Sequence, residues 1–259
     1  MQFGICAGPA DLTRVAEAGF DYIELGITGA LQPERPEAEV MPPLLADFSK
    51  SPLRSEAYNL LLPGDLKVVG PQTDTARQER YLASAFARAS ALGGKVAVFG
   101  SGGARGIPGG WAKDKAEEQV VAFLHRAGDA AARHGMMVAI EPLNTSECNF
   151  INSVAEGTAL AQETNHTAVG VLSDLYHVDY EGQSYEETRA ALPWLRHVHV
   201  AGEGRRAPEA ADYAFLRDYF AVLKSSGYKG RVSIEARWED LAGQMATSLE
   251  TLRQAWEAA

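Results

Sequence analysis

The chain is poor in cysteine, with only Cys6 and Cys148 among 259 residues. Each sits in or beside an apolar, strand-like segment, so no disulfide framework is implied. Basic charge is scarce as well: 24 Lys and Arg face 34 Asp and Glu, a formal net charge of −10. No basic run is interleaved with aromatics. Nucleic-acid binders neutralise phosphates with Lys and Arg, so no nucleic-acid partner is expected. No apolar run approaches the ~18 residues of a membrane-crossing helix. The opening MQFGICAG lacks a basic region and a cleavage site. A cytoplasmic protein with no membrane partner is the expectation, and homo-oligomerisation is left open.

What is present is alternation. Short apolar, β-branched runs recur, each followed by a Gly-, Pro- or Asp-rich break and then a stretch of helical periodicity. The strands read as FGICA (3–7), YIELG (22–26), RSEAYNLL (54–61), KVAVFG (95–100), MMVAIE (136–141), AVGVLSD (168–174), LRHVHVA (195–201) and RVSIEA (231–236). Helices are expected at 11–18, 42–50, 73–92, 113–134, 153–164, 184–192, 212–226 and 239–258. Several are bounded by an Asp or Ser cap and a closing Gly. Eight strands alternating with eight helices and no linker predict one (β/α)₈ TIM barrel domain over residues 1–259. An open, doubly wound sheet competes less well, because GICAGPAD after the first strand has no Gly-x-Gly-x-x-Gly.

In such a barrel the chemistry sits at the C-terminal ends of the strands. Strands five to eight end in Glu141, Asp174, His199 and Glu235. One strand-end carboxylate is ordinary and solvated. Three converging on one mouth with an imidazole would repel one another unless a cation neutralised them. The donor set suits a divalent ion of intermediate hardness, Mn²⁺ or Co²⁺ first, with Mg²⁺ or Zn²⁺ as alternatives. His197, two residues before His199, points to the same side and reads as a lower-layer histidine. His125, His134 and His166 fall in or beside helices and read as surface residues. The glycine-rich G100-S-G-G-A-R-G106 lacks the Gly-Lys-Ser/Thr ending of a P-loop and reads as a mobile loop over the pocket.

Several segments carry a resemblance. E141-P-L-N-T-S-E147-C-N-F-I-N152, D174-L-Y-H177, H197-V-H199-V-A-G-E-G-R205-R206 and G230-R-V-S-I-E235 occur in order on the expected strands. Together they resemble the D-tagatose 3-epimerase group of the xylose-isomerase-like barrels. N59-L-L-L-P-G-D-L and V98-F-G-S-G-G-A-R resemble the third- and fourth-strand loops of related sugar isomerases. The resemblance implies a divalent metal held by Glu141, Asp174, His199 and Glu235. It also implies contacts to a small sugar or sugar phosphate from Glu147, His177 and Arg205. The expected activity is that of a sugar epimerase or aldose–ketose isomerase. Its route is a metal-stabilised enediolate, with Glu141 and Glu235 as the two acid/bases. Asn59 and Glu24 are candidate sugar contacts, and Trp111 a candidate pocket wall. Hydroxypyruvate isomerases and inosose dehydratases of the same barrel are the nearest alternatives. An AP-endonuclease-like DNA-binding barrel would need more histidines and a basic face. A non-catalytic sugar-binding barrel does not call for two flanking carboxylates.

Overall fold

The β-branched runs form eight strands: β1 Gln2–Cys6, β2 Tyr22–Gly26, β3 Ser55–Asn59, β4 Val96–Phe99, β5 Met137–Ile140, β6 Val169–Asp174, β7 Leu195–Val200 and β8 Arg231–Ile234. All neighbours pair in parallel, and β1 also pairs with β8, closing the barrel in sequence order. A computed structural model describes all 259 residues. β3 is shorter than the expected 54–61 because Leu60 turns to φ +50°, where an extended strand cannot continue.

The outer ring consists of helices Leu12–Glu17, Glu37–Lys50, Thr75–Ala91, Lys113–Ala132, Val154–Thr164, Tyr185–Ala190, Tyr213–Ser225 and Leu241–Ala258. Asp74, Ser153, Ser184 and Asp240 cap their helices by accepting from backbone N–H groups. The second helix starts five residues before the expected Pro42. Glu37 and Glu39 favour its N-terminal end, and the helix runs on through Pro42 and Pro43. Those prolines cannot bond the carbonyls of Ala38 and Glu39, but both positions are exposed, so water can do so. Short helices at Gly102–Arg105 and Leu175–Tyr180 were not expected. No helix is long and apolar enough to cross a membrane.

Two cores divide the burial. A large one joins the outward faces of the strands to the helices. A small one fills the barrel interior with Tyr22, Ala57, Val96, Val98, Ala139 and Leu172. Side chains alternate along a strand, so the residues two further on occupy the next layer up. After Tyr22, Ala57, Val98, Ala139 and Leu172 those are Glu24, Asn59, Gly100, Glu141 and Asp174. The apolar plug thus sets the height at which the polar mouth begins.

Candidate metal centre

Glu141, Asp174, His199 and Glu235 come together at the mouth, each offering a donor atom within 4.8 Å of all the others. Asp174 and His199 are directly paired in the β6–β7 register. His199 Nδ1 lies 3.2 Å from Glu141 Oε1 and 3.5 Å from Glu235 Oε2. Asp174 Oδ1 accepts from the Tyr176 amide, which leaves Oδ2 buried with no hydrogen-bond partner. A buried carboxylate oxygen without a donor is costly, and a cation among these donors would satisfy it. Three carboxylates and an imidazole of this kind fit a divalent ion.

The electrostatics are tightly coupled. Burial pushes His199 toward neutrality, but Glu24 and Glu235 outweigh it and hold the imidazole well above its ordinary range. Burial works against ionised Glu235, yet His199 and Arg205 bring its carboxyl down to about 2. Asp174 is raised, chiefly by burial.

The surrounding candidates fall into place unevenly. Arg205 donates from Nη2 to Glu235 Oε2 at 2.6 Å and from Nη1 to Glu147 Oε1 at 3.1 Å. Its guanidinium lies over the Tyr176 ring, 4.9 Å from the centroid. Asn59 Nδ2 donates to the other oxygen of Glu235 at 3.2 Å. His177 Nδ1 accepts from the Asn144 amide at 3.0 Å, so the proton of the neutral ring sits on Nε2. That N–H is buried and unpartnered, 3.6 Å from Asp174 Oδ2. Trp111 is elsewhere in its polar contacts. Its indole N–H donates to Gln119, which also clamps Gly70, and none of these bonds reaches the cluster. Glu24 is not a sugar contact. It is completely buried and bonded to His197 and His199.

Three site residues were not anticipated. A Cβ at Gly100 would run into Glu141 Oε2, so glycine leaves the space that carboxylate occupies. Cys6, paired in register with Glu24, brings its sulfur within 4.8 Å of the Glu24 and His199 donor atoms. Arg105 is fully buried, donating to the carbonyls of Phe99 and Glu141 at 2.8 Å each and of Ile151 at 3.4 Å. The glycine-rich loop expected to be mobile is therefore pinned at its end. Counting two residues beyond each inner-plug position would have found Gly100, and the end of β1 would have found Cys6. Arg105 carries no such signal.

The profile of the Xylose isomerase-like TIM barrel family matches residues 12–255. The chain belongs to that family. The L-ribulose 3-epimerase of Methylomonas sp. (strain DH-1) is 28% identical over 248 residues, covering 95% of this chain and 84% of the relative. The D-allulose 3-epimerase of Methylomonas sp., solved in complex with D-allulose, superposes with a TM-score of 0.77 at 25% identity, covering 100% of this chain and 94% of that one. The IOLI protein with a bound zinc atom superposes at a TM-score of 0.73 and 17% identity, covering 98% and 96% of the two chains, a likeness of fold.

Proposed function

We propose that the chain is a divalent-metal-dependent sugar epimerase of the ketose 3-epimerase type. The observation that carries this reading is the convergence of two carboxylates from different strands, Glu141 at 3.2 Å and Glu235 at 3.5 Å, on one imidazole nitrogen at the barrel mouth. Epimerisation needs a base on each face of one carbon, and β5 and β8 supply one each. Glu141, Asp174, His199 and Glu235 would hold the cation. When bound, it supplies Lewis acidity toward the substrate carbonyl and the neighbouring hydroxyl. Mn²⁺ or Co²⁺ suits the donors best.

The chain's own groups do the rest. Arg205 and Asn59 keep Glu235 ionised, so Glu235 begins as the base and removes the proton from C3. The electron pair left behind spreads onto the C2 oxygen as an enediolate. Glu141 then delivers a proton to the opposite face, the C3 configuration inverts, and solvent restores both carboxyls. His177 presents its free Nε2–H as a donor to a substrate oxygen. Glu147, held by Arg205, is placed to accept from a hydroxyl.

The substrate we propose is an unphosphorylated ketose, as the names of the epimerase relatives also suggest. In many barrels the loops after β7 and β8 hold a phosphate on backbone N–H groups. Here Asp212 takes the Glu203 amide at 3.0 Å and the Glu209 amide at 2.9 Å. Asp240 takes the Gly243 amide at 3.1 Å. The chain's own carboxylates fill those positions.

The test is solvent exchange. Metal-loaded protein is incubated in D₂O with free and phosphorylated ketoses, and carbon-bound protons are followed by NMR. Deuterium at C3 together with a new epimer is the expected result. Deuterium at C1 would replace the epimerase by an aldose–ketose isomerase. No exchange with metal bound would sink the enediolate reading altogether.

A further inference from the structure

Glu24 is a buried carboxylate at the centre of the barrel that the chemistry above leaves without a task. Its side chain is fully enclosed. Oε1 lies 3.0 Å from His199 Nε2, and Oε2 lies 2.8 Å from His197 Nε2. Both imidazoles are equally enclosed. Below them, Ser233 Oγ is 3.3 Å from His197 Nε2 and 2.8 Å from the Tyr22 hydroxyl. A hydrogen-bonded chain thus climbs from Tyr22 on β2 through Ser233 and His197 to Glu24, and ends on His199.

A carboxylate buried without water stays ionised only when donors face it. Each Glu24 oxygen faces one imidazole nitrogen, Oε2 at 2.8 Å from His197 Nε2 and Oε1 at 3.0 Å from His199 Nε2. Ionised Glu24 can only accept, so each imidazole must turn a protonated Nε2 toward it. For His197 this accounts for a second observation. Its Nδ1 is buried with no partner, as expected of the bare nitrogen in a ring whose one proton is on Nε2.

The same constraint fixes His199. With Nε2–H committed to Oε1, Nδ1 is the nitrogen that faces Glu141 and Glu235. A flipped ring would turn carbon toward Glu24 and leave Oε1 buried without a donor, at the full desolvation cost of a charged group. Building on the metal reading under Proposed function, we propose that Glu24 is a positioning residue. It holds the proton on His199 Nε2 when the cation displaces the one on Nδ1, and so presents Nδ1 to the cation. Carboxylates behind ligating histidines act in this way in metal sites generally, and their loss weakens binding by roughly 10–100-fold. The unusual feature here is that one carboxylate orders two histidines at once, so the tautomers of His197 and His199 are tied together.

The test compares the parent protein with Glu24→Gln. Glutamine has one oxygen and one NH₂ group, so it can accept from only one of the two imidazoles, and the other must change tautomer or lose its bond. Mn²⁺ affinity is measured by calorimetry on metal-stripped protein, with no substrate present. Tautomers are read from ¹⁵N spectra of histidine-labelled, Zn²⁺-loaded protein. The expected results are a protonated His199 Nε2 with a metal-shifted Nδ1 in the parent, and a Kd for Mn²⁺ raised roughly 10–100-fold in Glu24→Gln. A parent spectrum with the His199 proton on Nδ1 overturns the proposal, and that measurement stands even if the variant fails to fold. A folded Glu24→Gln protein with Kd within threefold of the parent also overturns it, leaving the metal reading intact. If the parent binds no divalent metal, the metal reading and this inference fall together.

Discussion

Arg205 Nη2 donates to Glu235 Oε2 at 2.6 Å, while Nη1 of the same guanidinium donates to Glu147 Oε1 at 3.1 Å. One fork therefore joins a residue proposed for proton transfer to one proposed for substrate contact. Arg205 itself stands at φ +68°, a backbone region that non-glycine residues occupy sparingly. Strain at such a position persists where the surroundings over-determine it, and two carboxylates plus the Tyr176 ring do so here.

Replacing Arg205 by Met removes both bonds and leaves Glu147 and Glu235 without their cation. The expected loss in kcat/KM is roughly 100-fold, as for other misplacements of a reacting group. Arg205→Lys should recover little, because an ammonium cannot reproduce the planar fork. Steady-state kinetics on the two variants check this. Values within twofold of the parent would remove Arg205 from the site.

Glu141→Gln is nearly isosteric and should keep the fold. It removes one of the two acid/bases, and turnover should fall by roughly 10²–10⁴-fold. Circular dichroism and a turnover assay on the same preparation separate the two effects. Near-normal turnover would end the assignment.

Gly100→Ala places a methyl group in collision with Glu141 Oε2. The carboxylate must move, and a displacement of about 1 Å at a reacting group can cost ~100-fold in rate. Overpacking of this kind costs about 1–3 kcal/mol of stability. Turnover should therefore fall much further than the shift in Tm implies. An alanine variant of full activity would show that the fourth strand does not shape the mouth.

Metal should stabilise the protein by mass action. At 100 times Kd, a ligand that binds only the folded state adds ~2.7 kcal/mol. For a chain of this size that corresponds to a rise of roughly 5–10 °C in Tm. Thermal scans of chelator-treated protein with and without added Mn²⁺ measure it. An unchanged Tm would mean that the four donors hold no such ion.

The barrel was legible in the sequence because parallel strands buried on both faces must be apolar runs, and these runs were punctuated by Gly, Pro and Asp. The four converging donors were legible for a related reason: each is the polar, metal-binding residue nearest the C-terminal end of such a run. Glu24 and Asn59 read from the sequence as candidate sugar contacts, but the sequence does not tell that one is enclosed beneath His199 and the other bonded to Glu235. Depth depends on register, and β2 slips against β3 between Ile23 and Glu24. Gly100 was hidden because a glycine that makes room for a neighbour looks like a glycine that loosens a loop. The early start of the helix at Glu37 was missed because two prolines outweigh acidic residues in any reading by propensity.

Arg105 has a bearing on how this scaffold can be re-engineered. Its guanidinium reaches back to Phe99, across to Glu141, and up to Ile151. The segments following β4 and β5 are therefore not interchangeable modules. A graft that imports the first without the second deprives a buried positive charge of partners, and the reverse graft removes the Arg105 donor from the Glu141 carbonyl, whereas the Phe99 and Ile151 carbonyls keep the amides of Glu141 and Leu143. Diversification of the pocket would have to transplant both segments as one cassette or leave both untouched.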